Sequence, residues 1–185
     1  MTPSTWNLPL PTAQRPYSDV YLPPFQMNRS LLFCVFMALN FGGLAIGGQF
    51  TEPGVASEWY LTLARAPWTP PGWVFGAAWS TIMVGFSWYM YQLWSRTPQS
   101  GRRTITLAYT TALLLNIAWN PLFFGAHLTG MAMLDLILLL AVVLWLCFRG
   151  WKHPGMTWAR WALLPYPCWL MVAISLNSYP LWMGT

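Results

Sequence analysis

Charge is what this chain has least of. Only 7% of its 185 residues are Asp, Glu, Lys or Arg, against about a quarter in a soluble domain, and a water-facing surface cannot be built from so few ionic groups. The acids number four and form no pair of the kind that serves as general acid and base. There is also no glycine-rich phosphate loop, no histidine cluster and no nucleophile with an evident base beside it, so nothing resembles a hydrolytic or phosphate-handling site. Cysteine is limited to Cys34, Cys147 and Cys168. They lie inside apolar runs without metal-ligand spacing and are expected to be small buried apolar residues rather than redox or ligand groups. The basic residues are few and spread over several loops rather than gathered in one stripe, which argues against a nucleic-acid partner.

What the chain does have is apolar length. Hydrophobic residues make up 56% of it, in runs over residues 30–50, 71–94, 104–125, 129–149 and 158–180. A bilayer is crossed by about 17–25 such residues in a helix. Barrel strands would alternate apolar and polar over about 10 residues, and no such alternation occurs. The expected fold is therefore all-α, an integral membrane bundle of five transmembrane helices. It forms one domain over residues 29–185, preceded by a flexible proline-rich arm at 1–28 that lacks the order of a cleavable signal peptide.

Local chemistry sharpens the boundaries. Thr69 is expected to cap the second helix ahead of Pro70 and Pro71. Residues 95–103, with Pro98, Gly101 and three arginines, read as a solvated loop, with Thr104 capping the third helix. Pro121, Pro165 and Pro167 fall inside helices and should bend or locally unwind them, either bordering a cavity or as packing kinks. Arg15, Arg29, Arg96, Arg102, Arg103, Arg149, Lys152 and Arg160 occupy three segments that share one side of a five-helix chain, and only Arg65 lies in the first loop. The positive-inside rule then puts the N-terminus in the cytoplasm and the C-terminus outside, for a bacterial cell membrane.

Of the fourteen tryptophans, eleven fall into two groups. Trp59, Trp68, Trp73, Trp94, Trp151, Trp158 and Trp182 lie near helix ends and suit an interfacial belt. Trp79, Trp119, Trp145 and Trp169 lie well within helices, either lining a pocket or packing. Asn116 and Asn120 share one side of the third helix with Trp119 adjacent; Phe75, Trp79 and Met83 align on the second; Trp169, Ala173 and Asn177 align on the fifth. Three such faces suit a shared cavity for a large, flat, apolar ligand, and the asparagines equally suit structural bridges between helices. Asp135 sits within two turns of the fourth helix's start, where the helix dipole and nearby backbone N–H groups favour a carboxylate. His127, in a short loop, suits loop packing better than ligation of a haem iron. Gly43 and Gly47 form a GxxxG, and Ala38 with Gly42 a second small pair, permitting close contact within or between subunits.

Three stretches, in order, resemble one family. They are Trp59-Tyr60 through Ala66-Pro67-Trp68-Thr69-Pro70-Pro71-Gly72-Trp73-Val74-Phe75 to Trp79, then Asn116 to Gly125 with Trp119-Asn120-Pro121, and Leu164-Pro165-Tyr166 with Trp169, Ala173 and Asn177. Together they resemble the TspO/MBR family of tryptophan-rich sensory and translocator proteins across residues 30–182. The resemblance implies a five-helix homodimer binding porphyrins, haem-like tetrapyrroles, sterols or benzodiazepine-type drugs, with no cofactor required and membrane lipid around it. Family pocket positions fall on Tyr60, Trp79, Asn120, Trp169 and Ala173, and the faces above add Met83, Asn116, Trp119 and Asn177. In some bacterial members the tryptophans matching Trp79 and Trp169 are implicated in light-dependent oxidative breakdown of protoporphyrin. Family dimers favour the third helix, here Ala108 and Ala112. The sterol motif of animal members needs Lys or Arg soon after a tyrosine late in the fifth helix, and neither follows Tyr179. Three functions fit: tetrapyrrole binding for transport or for sensing stress, oxygen or light; photo-oxidative degradation of porphyrin; and a scaffold acting on a partner membrane protein.

Overall fold

Asn28 opens the first helix, its Oδ1 accepting from the Ser30 N–H at 3.1 Å, so that one otherwise unpaired first-turn donor is satisfied. In the computed structural model, which describes residues 28–183, the helices are α1 (Arg29–Val55), α2 (Glu58–Thr62), α3 (Gly72–Arg96), α4 (Gln99–Asn120), α5 (Thr129–Trp151) and α6 (Pro165–Met183). A π turn at Pro121–Gly125 extends α4, and a 3-10 turn at Ala159–Leu163 leads into α6. No strand occurs among the described residues. Among the described residues four segments are long and apolar enough to cross a membrane: Arg29–Val55, Gln99–Gly125, Thr129–Trp151 and Ala159–Met183. The expected arm at 1–28 lies outside the described residues, apart from the capping Asn28.

The five long helices close a ring in which α1 packs on α3 and α4, α4 on α5, α5 on α6, and α6 on α3. In lipid this packing has little hydrophobic drive, so close approach and internal hydrogen bonds must hold it. The GxxxG of α1 supplies the approach within one chain. A Cβ on Gly43 would come within 2.9 Å of the Leu113 side chain, and one on Gly47 would collide with the Asn120 amide. Hydrogen bonds supply the rest: Asn40 Nδ2 donates to Ser87 Oγ at 2.8 Å, and the Tyr109 hydroxyl donates to Asn40 Oδ1 at 3.0 Å. Between them lie the buried rings of Phe36, Phe86, Tyr89, Tyr109 and Tyr166.

Several expectations about boundaries change. Thr69 does not cap α3: its hydroxyl donates to the Ala66 carbonyl at 2.6 Å, and the helix starts after Pro71, whose φ of −56° and ψ of 148° keep the chain extended. Residues 95–103 are not a loop, since α3 runs to Arg96 and α4 begins at Gln99, leaving Thr97 and Pro98 as the connection. Arg102 secures that corner, its Nε donating to the Thr97 carbonyl at 3.1 Å and its guanidinium lying 4.2 Å from the Trp94 ring centre. Thr104 therefore falls within α4 rather than capping it. Pro165 and Pro167 are not interior either; they occupy the first turn of α6, where a proline forfeits no intrahelical bond. Pro121 behaves as expected, since its carbonyl accepts from the Ala126 N–H at 2.8 Å in the wider π pattern. Cys34 and Cys168 are exposed and Cys147 is half-buried, so the cysteines are not core residues; on a lipid-facing surface a small apolar group needs no burial. Ala112, in contrast, is fully buried within the protomer and has no surface to offer a dimer partner.

Candidate functional site

Tyr166 is where the three expected faces meet. Proline at positions 165 and 167 starts α6 so that Tyr166 enters the core with its ring fully buried. The Trp79 ring of α3 meets it edge-on at 5.9 Å, and the Asn116 amide of α4 donates to its hydroxyl at 2.9 Å. One turn along α6, Trp169 meets Phe75 edge-on at 5.5 Å. Ala173, a turn further, is half-buried against the same core. Trp79, Phe75 and Trp169 are all half-buried, so this seam between α3 and α6 shows aromatic edges rather than a sealed interior. Met83 lies deeper, 2% exposed in the core.

A second set branches from Trp119. Its indole N–H donates to Asn177 Oδ1 at 3.3 Å, and Asn177 Nδ2 donates to the Thr129 carbonyl at 2.9 Å, so one amide bridges α4, α5 and α6. The Trp119 ring stacks on Phe123, centres 5.0 Å apart and 14° from parallel, an alignment allowed by the π turn. Asn120 turns the other way: it accepts from Thr51 Oγ1 at 2.7 Å and lies against Gly47 of α1. Tyr60 sits on α2, whose start is capped by Ser57 Oγ accepting from the Tyr60 N–H at 3.2 Å. Its ring packs on Phe124 beneath the Arg65 guanidinium. The proposed residues thus form one seam around Tyr166 and an adjoining amide bridge at Trp119, while Asn120 turns to α1 and Tyr60 packs on Phe124 apart from both.

The chemistry available here is aromatic contact and neutral hydrogen bonding. Asp135 is buried, and its Oδ2 has no hydrogen-bond partner among the described residues. The backbone N–H support expected for it is not realised at Oδ2, because at the seventh helical position the N–H groups are already used by the helix. His127 stacks on Trp59, centres 4.1 Å apart, which is the loop packing anticipated. Among the described residues no group of three His, Cys, Asp or Glu could hold a metal ion. Trp145 does not join the site; it lies on the outer face of α5, 37% exposed, beneath the Arg149 guanidinium. Trp68, Trp73, Trp158 and Trp182 are among the most exposed aromatic residues, as an interfacial belt requires.

In the sequence Tyr166 stands out only as part of the Leu164-Pro165-Tyr166 stretch and not as a site residue, although it lies three residues from Trp169, and hence on the same helical face. Thr51 carried no signal, because a lone threonine late in an apolar helix looks like any other helical threonine. Asn40 was likewise missed, though an amide within an apolar run must find a partner.

The sequence profile of the TspO/MBR family matches residues 31–183. The human "Translocator protein" is 32% identical over 142 residues, 76% of this chain and 82% of that protein. "Protein CrtK" of Rhodobacter capsulatus is 31% identical over 152 residues, 82% of this chain and 91% of that one. The "Tryptophan-rich sensory protein" of Cereibacter sphaeroides is 31% identical over 149 residues, with coverages of 79% and 87%. The apolar helices and this match along nearly all of the described chain make it an integral membrane protein that belongs to the TspO/MBR family.

Proposed function

We propose that this protein binds tetrapyrroles such as protoporphyrin IX, or other flat apolar ligands, at the seam between α3 and α6, in transport or in sensing. The observation that carries the reading is the convergence of Phe75, Trp79, Tyr166 and Trp169 with the Asn116 amide. Flat rings offer a macrocycle stacking and edge contacts, and a few fixed amides orient its polar groups. In this reading Tyr60 and Arg65, paired ring to guanidinium on the α1–α3 connection, close over the ligand and meet a propionate. In this reading α3 is the fifth transmembrane helix. Its 25 residues rise roughly 37 Å, it completes the helix ring, and its tryptophans and tyrosines account for its lower apolarity. The basic residues gathered at one end of the bundle support a cytoplasmic N-terminus.

A second reading is light-dependent oxidative breakdown of a bound porphyrin. It is favoured by the half-buried indoles of Trp79, which meets the buried Tyr166 edge-on, and of Trp169, which meets Phe75 one turn along α6, groups able to exchange electrons with an excited macrocycle.

Titration of the detergent-purified protein with protoporphyrin IX, in darkness and in light, tests both readings against the Trp79→Phe/Trp169→Phe variant. Saturable binding, weakened about tenfold in the variant, is the expected result. A product needing light and dioxygen and lost in the variant selects the second reading. Non-saturable uptake overturns both and leaves a scaffold for a partner protein, whereas saturable binding that is unchanged in the variant, without a light-dependent product, removes the site from this seam.

A further inference from the structure

Away from that seam, where α1 begins and α3 finishes, a pocket of about 330 Å3 opens between the two helices. It is lined by Arg29 of α1 and by Tyr91, Gln92, Ser95 and Arg96 of α3. Spacing explains why α3 supplies four of the five: Tyr91 with Ser95, and Gln92 with Arg96, are each one turn apart on neighbouring rows of the same helical side. Arg29 opens a segment able to cross a membrane, which sets the pocket at the level where hydrocarbon gives way to headgroups.

Each wall of the pocket carries a cation. Arg96 Nη1 donates to the Gln92 carbonyl at 3.3 Å and also to Gln92 Oε1. The amide oxygen is thereby occupied, and the Gln92 NH2 group and the rest of the Arg96 fork are left to donate to a ligand. Arg29 brings a second guanidinium from the facing helix. No acid among the described residues lies at this level: Glu52 is 23 residues along α1, roughly 34 Å away, Glu58 follows on α2, and Asp135 lies in the half of α5 nearer that other end. Arg102 is committed to the Thr97 carbonyl and the Trp94 ring, and the exposed Arg103 is outside the lining. One turn further in, the surface becomes aromatic. Phe33, four residues after Arg29 and so on the same side of α1, meets Trp88 edge-on at 6.1 Å and Tyr91 at 6.2 Å, and Trp88 is 42% exposed.

We propose that this pocket holds the headgroup of an anionic phospholipid, with its phosphate between Arg29 and Arg96 beside the Gln92 amide and an acyl chain lying along Phe33 and Trp88. The two guanidiniums supply the charge-assisted, forked contacts that phosphate accepts. A choline headgroup would set its own cation against the same two arginines, so the pocket selects lipids of net negative charge. The exposed aromatic wall directly below the cations favours an amphiphile over a soluble phosphate ion, which could use only the mouth. The inference goes beyond ligand binding at the α3–α6 seam and stands or falls separately from it.

Native mass spectrometry of the full chain, incubated with equal amounts of phosphatidylglycerol and phosphatidylcholine of the same acyl composition, is the test. Phosphatidylglycerol should be retained in preference, and Arg29→Gln and Arg96→Gln should each lower that retention about fivefold. Arg103→Gln, which removes the same charge from the same end of the bundle but outside the pocket, should leave it unchanged. All three positions are exposed, and helical circular dichroism matching the parent confirms folding of each variant. Equal retention of the two lipids overturns the proposal, as does a preference that survives both pocket variants. An equal loss in Arg103→Gln overturns it in favour of a diffuse attraction to the basic end. Release of phosphatidylglycerol by millimolar inorganic phosphate overturns it in favour of a site for soluble phosphate.

Discussion

The Asn116 amide and the Tyr166 hydroxyl, 2.9 Å apart, form a buried hydrogen bond that ties α4 to α6 beside the Trp79 ring. Neither residue can turn to lipid for a replacement partner, so the bond sets the spacing of the seam as well as stabilising it. Replacing Tyr166 by Phe leaves the Asn116 amide without this acceptor, at a cost of about 1–2 kcal/mol. Asn116→Leu should cost less than the sum would suggest when combined with Tyr166→Phe. Thermal unfolding in detergent of the two single variants and the double variant gives the coupling; strict additivity would show that the pair acts independently.

Gly43 and Gly47 hold α1 against α4, whereas a Cβ on Gly42, on the other side of the same helix, would meet nothing within 4 Å. Gly47→Leu is therefore expected to separate α1 from α4 and lower the melting temperature by several degrees or prevent folding, since overpacking costs about 1–3 kcal/mol or more. Gly42→Leu should leave stability within about 0.5 kcal/mol of the parent. A large loss at Gly42 as well would mean that its face is packed against another chain.

His127 adopts φ of 58°, in the left-handed region where a β-branched residue is strained, and it stacks on Trp59. His127→Asn keeps the backbone tolerance and loses only the stack, about 0.5–1 kcal/mol. His127→Val should cost more, about 1–3 kcal/mol. Equal melting temperatures for the two variants would refute the backbone part of that account.

Asn120 illustrates how far local periodicity could be followed. Its spacing from Asn116 puts the two on one helical side, yet Asn116 meets Tyr166 of α6 while Asn120 accepts from Thr51 of α1. The π turn after Asn120 and the antiparallel neighbours divide one face between two partners. Periodicity along a helix gives a direction, not the element that lies in that direction. Trp145 makes the same point in reverse: it lies well within a helix by position, yet the ring of helices places it outside. Boundaries marked by proline were partly legible, because Pro98 and Pro71 each precede a helix. The start of α4 was obscured because Arg102 and Arg103 suggest solvent, whereas Arg102 is held by an aromatic ring and a carbonyl.

By itself the sequence determined that the chain is helical, that it belongs in a membrane and that aromatic residues and amides lie on particular helical faces, because these follow from apolar run length, scarce charge and the 3.6-residue repeat. Only the tertiary structure decided which faces meet. Tyr166 became the centre of the seam and Gly47 the contact point for Asn120, because such pairings join residues from 50 to more than 70 positions apart through packing that no local pattern encodes.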